Sequence, residues 1–145
     1  MENAKDVLND LVCMGIEPDG LKIFRTYLDR QTLKILYVPR PGYKLMDIAK
    51  HQPELAAEPE RYAQVPEYST RMTYEAMLRF ANKQEEAVRD EILNHLTLLG
   101  PCPQFMDNAI KDEALLTKWR TYSFQDKVDF VKDWAKKNNI TAFDN

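Results

Sequence analysis

The chain has 145 residues, of which 44% are hydrophobic and 30% charged, and its formal net charge at pH 7 is −3. This length suits a single domain with one adequate core, and an aromatic content of 10% argues against disorder. A negative net charge gives no long-range attraction for phosphates, so nucleic acid is not the expected partner. No apolar stretch approaches the ~20 residues of a membrane helix, and residues 1–15 lack the features of a signal peptide. We therefore expect a soluble, cytoplasmic protein with no membrane contact.

The two cysteines, Cys13 and Cys102, are expected to be free, buried thiols. A chain of this size folds without disulfide bonds, and thiols in the cytoplasm stay reduced. Each cysteine also lies in apolar or proline-flanked sequence, where it can pack as a small hydrophobic residue.

The N-terminal elements are a helix and a β-hairpin. Helical spacing of apolar residues predicts a short amphipathic helix from Asn3 to Met14, with Asn3 as its N-cap and Gly15 as its stop. The β-branched and aromatic runs Ile23–Leu28 and Ile35–Val38 then predict the two strands of the hairpin.

The hairpin turn contains an unusual residue. Asp29 and Thr32 can bond the turn backbone, but Leu33 stands where glycine usually supplies the left-handed conformation. Either the turn is strained or it adopts another type.

Five prolines between Pro39 and Pro66 exclude a long helix or a central strand from this segment. Shorter elements fit, namely a helix at Lys44–His51, a turn at Glu58–Tyr62 and an edge strand at Gln64–Val65.

Beyond Pro66 the sequence pattern is helical. Four to five helices are predicted there: from Ser69 or Thr70 to Ala81, from Glu85 to Leu99, at Gln104–Lys111, at Ala114–Tyr122, and from Ser123 to Asn138-Asn139. The expected class is α+β, with the antiparallel hairpin in residues 1–66 and the helices in residues 67–145 of one domain.

Several weak motifs occur in a specific order along nearly the whole chain. They are Tyr27-Leu28-Asp29-Arg30-Gln31-Thr32, Glu58-Pro59-Glu60-Arg61-Tyr62 with Val65-Pro66, Gly100 to Phe105, Leu115 to Trp119, and Trp134 to Ile140. In this order and spacing the chain resembles uncharacterised protein family 0158, a set of bacterial proteins. Leu33 in place of the turn glycine and Asn108 in place of a second aromatic residue depart from the family pattern. The resemblance implies that the chain has the family's fold and a bacterial intracellular setting. It implies no activity.

The sequence offers little for metal or nucleotide chemistry. His51 and His95 are far apart and each cysteine is single, so no metal site and no cofactor are expected. Only four glycines occur, none at the spacing of a phosphate-binding loop.

An enzyme remains an alternative, in the form of a small hydrolase or transferase. Cys102 opens a predicted helix, where a thiol pKa can be lowered, and His95 lies seven residues upstream as a candidate base. The carboxylates of Glu86 and Asp90 share one helical face and would serve as acid and base only in a cleft. The ordinary interpretation of these groups is packing for Cys102 and a solvated helix face for the carboxylates.

The favoured interpretation is a non-enzymatic interaction or regulatory module that binds another protein or a second copy of itself. Tyrosine is enriched at protein interfaces, and we take Tyr43, Tyr62 and Tyr68 as the candidate binding residues. Weak nucleic-acid binding through the C-terminal lysines is a third hypothesis, but seven acidic residues balance seven basic ones between Pro101 and Asn145.

Overall fold

The computed structural model describes residues 2–17, 24–39, 57–99 and 112–144. These fall into two compact units, one formed by Met1–Glu67 with Val128–Asn145 and the other by Tyr68–Lys127. The single-domain expectation stays a prediction. The helices expected at residues 44–51 and 104–111 lie outside the described residues.

The first unit opens with a helix that starts as expected. Helix α1 spans Ala4–Asp10, and the side chain of Asn3 caps it by accepting hydrogen bonds from the amides of Lys5 and Asp6 at 3.0 and 3.2 Å. The helix then widens into a π-helical turn at Leu11–Gly15. A Cβ on Gly15 would lie 2.9 Å from Leu11 Cδ2, so only glycine fits there without a shift.

Cys13 lies in this π-helical turn and is free, but it is exposed, so the expectation of a buried thiol was wrong for this residue. The turn buries Leu11, Val12 and Ile16, and it leaves Cys13 and Met14 on the outer side of the helix. Cys102 lies outside the described residues.

The sheet has three antiparallel strands in the order β2-β1-β3: β1 at Phe24–Asp29, β2 at Ile35–Pro39 and β3 at Tyr62–Gln64. The predicted hairpin is thereby confirmed. The predicted edge strand is also present, although it begins two residues earlier than expected. A turn precedes it, closed by the Arg61 amide, which donates to the Glu58 carbonyl at 3.1 Å.

Strand register decides which side chains share a face, because directly opposed residues of antiparallel strands point the same way. Leu36 faces Tyr27 across the ladder, and Tyr62 faces Asp29. The Asp29 amide donates to the Lys34 carbonyl at 2.9 Å, which continues the β1–β2 pairing by one step. Asp29, Lys34, Leu36 and Tyr62 therefore lie on one face of the sheet, at the end where the hairpin turns.

Leu33 closes the hairpin in a left-handed conformation, with φ of 62°, so the turn is the strained one of the two expected alternatives. A left-handed leucine costs about 1–2 kcal/mol. The side chain is only 4% exposed, and burying a leucine contributes about 1.5–3 kcal/mol. Burial therefore offsets the backbone strain.

The second unit is helical. It contains α2 at Thr70–Asn82, α3 at Glu86–Leu99 and most of α4, which spans Glu113–Lys137. Ser69 caps α2 as expected, since its Oγ accepts from the Met72 amide at 3.2 Å. The core of this unit consists of Ala76, Met77, Phe80, Ala81, Ile92, Leu96 and Trp119. None of the helices in the described parts of the chain has the length and apolarity to cross a membrane.

The C-terminal helix corrects the prediction of two helices that meet at Ser123. Helix α4 is continuous over 25 residues, because neither glycine nor proline interrupts it. Its N-cap is Asp112, whose Oδ1 accepts from the Ala114 amide at 2.9 Å. Its predicted end is confirmed: Asn139 is left-handed, with φ of 60°, and the Ile140 amide donates back to the Ala135 carbonyl at 2.8 Å.

Candidate functional site

Asp29, the last residue of β1, is the centre of a hydrogen-bonded polar site at the end of the sheet. Its carboxylate is almost completely buried and forms a bidentate ion pair with Arg61. Nε of the arginine donates to Oδ1 at 2.9 Å and Nη2 donates to Oδ2 at 2.8 Å. This two-point geometry is the strongest form of a carboxylate–guanidinium contact and holds both planes in place.

The same carboxylate also holds the hairpin turn. The Gln31 amide donates to Oδ1 at 2.9 Å, and the Thr32 hydroxyl donates to Oδ2 at 2.8 Å. Asp29 thus joins its own turn to a segment 32 residues further along the chain.

Arg61 is oriented by further contacts. Its Nη1 donates to Glu58 Oε2 at 3.1 Å, and its guanidinium carbon lies 5.4 Å from the centre of the Tyr62 ring. The hydrogen bond from Arg61 lowers the pKa of Asp29 to about 2, although burial acts in the opposite direction. Hydrogen bonding to Asp29 correspondingly raises the pKa of Arg61. Both groups are therefore charged at neutral pH.

A cavity of about 590 Å³ opens beside this ion pair. It is lined by Asp29, Thr32, Lys34, Leu36, Ala57, Glu58, Arg61 and Tyr62, and we call it the Asp29 cavity. Among the described residues of the lining, two acidic and two basic side chains balance each other in formal charge. All of these residues belong to the first unit.

The three tyrosines proposed for binding lie in different places. Tyr62 is half-buried and lines the Asp29 cavity. Tyr68 is 4% exposed in the second unit, and its hydroxyl donates to Asp126. Tyr43 lies outside the described residues.

The residues considered for catalysis are not assembled in the described parts of the chain. His95 is half-buried on α3, and its proposed partner Cys102 lies outside those parts. Glu86 and Asp90 are both exposed, and Asp90 accepts a hydrogen bond from Arg89 Nε at 3.3 Å. They lie on a solvated helix face.

A second polar cluster, in the second unit, surrounds Asp126. Arg79 Nη2 donates to Asp126 Oδ1 at 2.9 Å, and Arg79 Nε donates to the Tyr122 hydroxyl at 3.2 Å. Burial and the bond to Asp126 raise the pKa of Tyr68 far above its usual range. This cluster joins both ends of the segment 68–127.

Neither polar cluster was predicted from the residues one by one. Asp29 was recognised as a residue that bonds its own turn, and otherwise Asp29 and Arg61 were members of two separate motifs of the family resemblance. A contact between the Asp29 motif and the Arg61 motif, had it been considered, would have located the site. Over the residues that the structure describes, no group of three or more His, Cys, Asp or Glu side chains is placed to hold a metal ion.

Comparison with known proteins supports the motif-based resemblance. No match was found among curated proteins or among solved structures. The sequence model described as Uncharacterised protein family (UPF0158) matches residues 19–144, a range that includes both Asp29 and Arg61. The chain therefore belongs to the uncharacterised protein family UPF0158.

Proposed function

We propose that this protein is a non-enzymatic module that binds another protein at the Asp29 cavity. The observation that carries the proposal is the internal pairing of three of the four charged groups in the cavity lining, Asp29, Glu58 and Arg61. Arg61 directs Nε and Nη2 to Asp29 and Nη1 to Glu58, so its guanidinium is oriented before any ligand arrives. Preorganised sites bind with a smaller entropic cost.

The protonation state of Asp29 also favours binding over proton transfer. A general acid or base works best with a pKa near the operating pH. The Arg61 guanidinium holds the pKa of Asp29 at about 2, which makes this carboxylate a weak base at neutral pH and removes it as an acid.

The size and lining of the cavity support the same function. Its volume of about 590 Å³ lies within the range of small-molecule sites, roughly 300–1,000 Å³, so it has room for a few side chains of a partner protein. Ala57 and the half-buried ring of Tyr62 offer apolar surface, and Lys34 and Glu58 are exposed residues that offer opposite charges. Aromatic and arginine residues of this kind are enriched at protein interfaces.

The proposal is tested by comparing what three tagged proteins capture from a bacterial lysate, with quantitative mass spectrometry as the readout. The proteins are the wild type, Tyr62→Ala at the cavity, and Tyr74→Ala as a matched control at an exposed tyrosine of α2. A partner held at the cavity is expected to be depleted about fivefold or more by Tyr62→Ala, since truncating a central tyrosine at an interface can cost more than about 1 kcal/mol. The control is expected to retain it.

Lys34→Glu provides a second cavity variant at an exposed position, and thermal melting checks that each variant folds. The proposal fails if folded cavity variants and the control capture the same proteins in the same amounts. It also fails if the wild type captures nothing above the tag alone.

A further inference from the structure

We infer that the Asp29 cavity takes an extended peptide segment whose side chains run acidic, apolar, basic at every second residue. This inference rests on the proposed function and specifies the partner's chemistry. Its basis is the distribution of charge and apolar surface in the cavity lining.

Opposite charges lie at opposite sides of the cavity. Lys34 immediately precedes β2 and shares the face of Asp29, whereas Glu58 lies in the turn that leads into β3. Strand β1 runs between β2 and β3, so the two outer strands are about 10 Å apart. The cavity therefore crosses the width of the sheet with a cation on one side and an anion on the other.

A ligand can reach both charged groups, although Glu58 already accepts one hydrogen bond from Arg61. Lys34 is exposed and forms no ion pair with a residue in the described parts of the chain. The Glu58 side chain is 53% exposed, and its partner Arg61 is already neutralised by Asp29. A basic ligand residue therefore gains more from Glu58 than an acidic one does, and the reverse holds at Lys34.

Apolar surface accompanies these charges. Leu36, Ala57 and the ring of Tyr62 contribute to the lining, together with the aliphatic part of Arg61. An apolar ligand side chain at this point removes surface from water on both partners, at about 25 cal/mol per Å².

An extended chain matches this arrangement better than a helix. In an extended chain residues i, i+2 and i+4 point to one side and span about 13 Å, enough to cross the ~10 Å between the outer strands. In an α-helix the side chains on one face are three or four residues apart, so a series that alternates at every second residue cannot face the cavity together.

The test uses three blocked five-residue peptides that differ only in their end charges: Glu-Ser-Leu-Ser-Arg, Glu-Ser-Leu-Ser-Glu and Arg-Ser-Leu-Ser-Arg. Each is titrated into the isotope-labelled full chain, and amide chemical shifts give the site and the Kd. The wild type is expected to bind the mixed peptide about threefold or more tighter than either of the others, with shifts at Leu36, Ala57 and Tyr62.

Lys34→Glu makes both sides of the cavity acidic, so this variant is expected to change its preference to Arg-Ser-Leu-Ser-Arg. A change of preference cannot be produced by partial unfolding, which weakens all three peptides together. Lys118→Glu, at an exposed position of α4, changes the net charge equally and is expected to keep the wild-type order of affinities.

Four results would overturn the inference: equal binding of all three peptides, binding of none, unchanged preference in Lys34→Glu, or displacement of the mixed peptide by free amino acids. Free glutamate and free arginine serve as competitors. If either displaces the mixed peptide at a concentration near the peptide's Kd, the cavity binds small zwitterions instead. If the peptides fail while Tyr62→Ala still loses a captured protein, the proposed function stands and only this description of the partner is wrong.

Discussion

Asp29 serves two structural purposes with a single carboxylate. Its oxygens accept hydrogen bonds from the hairpin turn, at Gln31 and Thr32, and from Arg61 in the segment before β3. An asparagine at this position could still accept hydrogen bonds from the turn, but it would lack the negative charge that pairs with Arg61. The ion pair is thus expected to be more sensitive to substitution than the turn.

Asp29→Asn is expected to lower the free energy of unfolding by about 2 kcal/mol at pH 7. Breaking a fully buried pair costs more, about 3–5 kcal/mol, but Arg61 is 25% exposed and retains Glu58. Urea denaturation of the wild type and the variant measures the difference. Glu86→Gln, which removes an exposed carboxylate of α3, is the matched control and is expected to change the stability little.

The pH dependence follows from the direction of the pKa shift. Arg61 lowers the pKa of Asp29 from 3.8 in the unfolded chain to about 2 in the folded one, so the unfolded state binds the proton first as the pH falls. The stabilisation is complete above about pH 5 and is lost between about pH 4 and pH 2. After discounting for solvent screening it amounts to about 1–2 kcal/mol.

Asp29→Asn lacks this titration, so its stability difference from the wild type is expected to shrink over the same pH range. A difference that stays constant from pH 5 to pH 2 would show that the ion pair does not stabilise the fold. Other carboxylates titrate in both proteins and cancel in the comparison.

Leu33→Gly tests the balance between strain and burial in the hairpin turn. Glycine relieves about 1–2 kcal/mol of left-handed strain but removes a buried side chain, and large-to-small core substitutions of leucine cost about 2–5 kcal/mol. We expect a net loss of about 1–3 kcal/mol, measured by thermal or urea unfolding. A stabilised variant would mean that the burial of Leu33 contributes less than its strain.

At the scale of elements, the continuity of α4 makes a prediction about Ser123. Within a helix alanine is more favourable than serine by up to about 0.5 kcal/mol, whereas loss of a serine N-cap costs about 1 kcal/mol. Ser123→Ala is therefore expected to leave stability unchanged or raise it slightly in urea denaturation. Ser69→Ala removes a real cap and is the control expected to destabilise. If both variants lose the same amount of stability, Ser123 acts as an N-cap, and the prediction of two separate helices would be correct.

Local patterns predicted most of the elements, since caps and stops depend on a few neighbouring residues. Asn3, Ser69 and Asn139 were all located correctly for this reason. Ser123 was misread because a serine gives the same local signal inside a helix as at its start. The exposure of Cys13 depends on the π-helical turn, which apolar periodicity of 3.6 does not reveal.

The candidate site was less predictable than the fold. Tyr62 was proposed because tyrosine is common at interfaces. The pairing of Asp29 with Arg61, however, depends on β3 binding to the edge of β1 opposite β2. That contact joins residues 32 positions apart, and no short-range pattern specifies which edge a short strand takes. The same holds for Tyr68 and Asp126, which are 58 positions apart.

At the scale of the whole molecule, the second unit is one continuous segment whose two ends are joined. Tyr68 is its first residue, and Asp126 is the residue before its last. The Tyr68 hydroxyl donates to Asp126, and the Lys127 ammonium lies 5.7 Å from the centre of the Tyr68 ring. These contacts close a loop that contains the helical core, so they are expected to stabilise this unit in particular.

Tyr68→Phe removes that hydroxyl and is expected to destabilise the segment 68–127 by about 1–2 kcal/mol. Hydrogen bonds to charged groups contribute about 1.5–3 kcal/mol, and the loss is smaller here because Asp126 retains Arg79 and is 27% exposed. Native-state hydrogen exchange measures the effect by region. Amides in the core of this segment, such as those of Phe80 and Ile92, are expected to exchange about 5- to 30-fold faster.

Amides of Leu28 and Leu36 in the sheet are the internal control for that experiment, and Tyr74→Phe, at a tyrosine that is 37% exposed, controls for loss of a hydroxyl. Separate opening of the two units predicts that the sheet amides keep their wild-type exchange rates. If exchange accelerates equally at Leu28 and Phe80, the chain opens as one cooperative unit, as the single-domain prediction requires. The bond between Tyr68 and Asp126 would then stabilise the whole fold rather than one part of it.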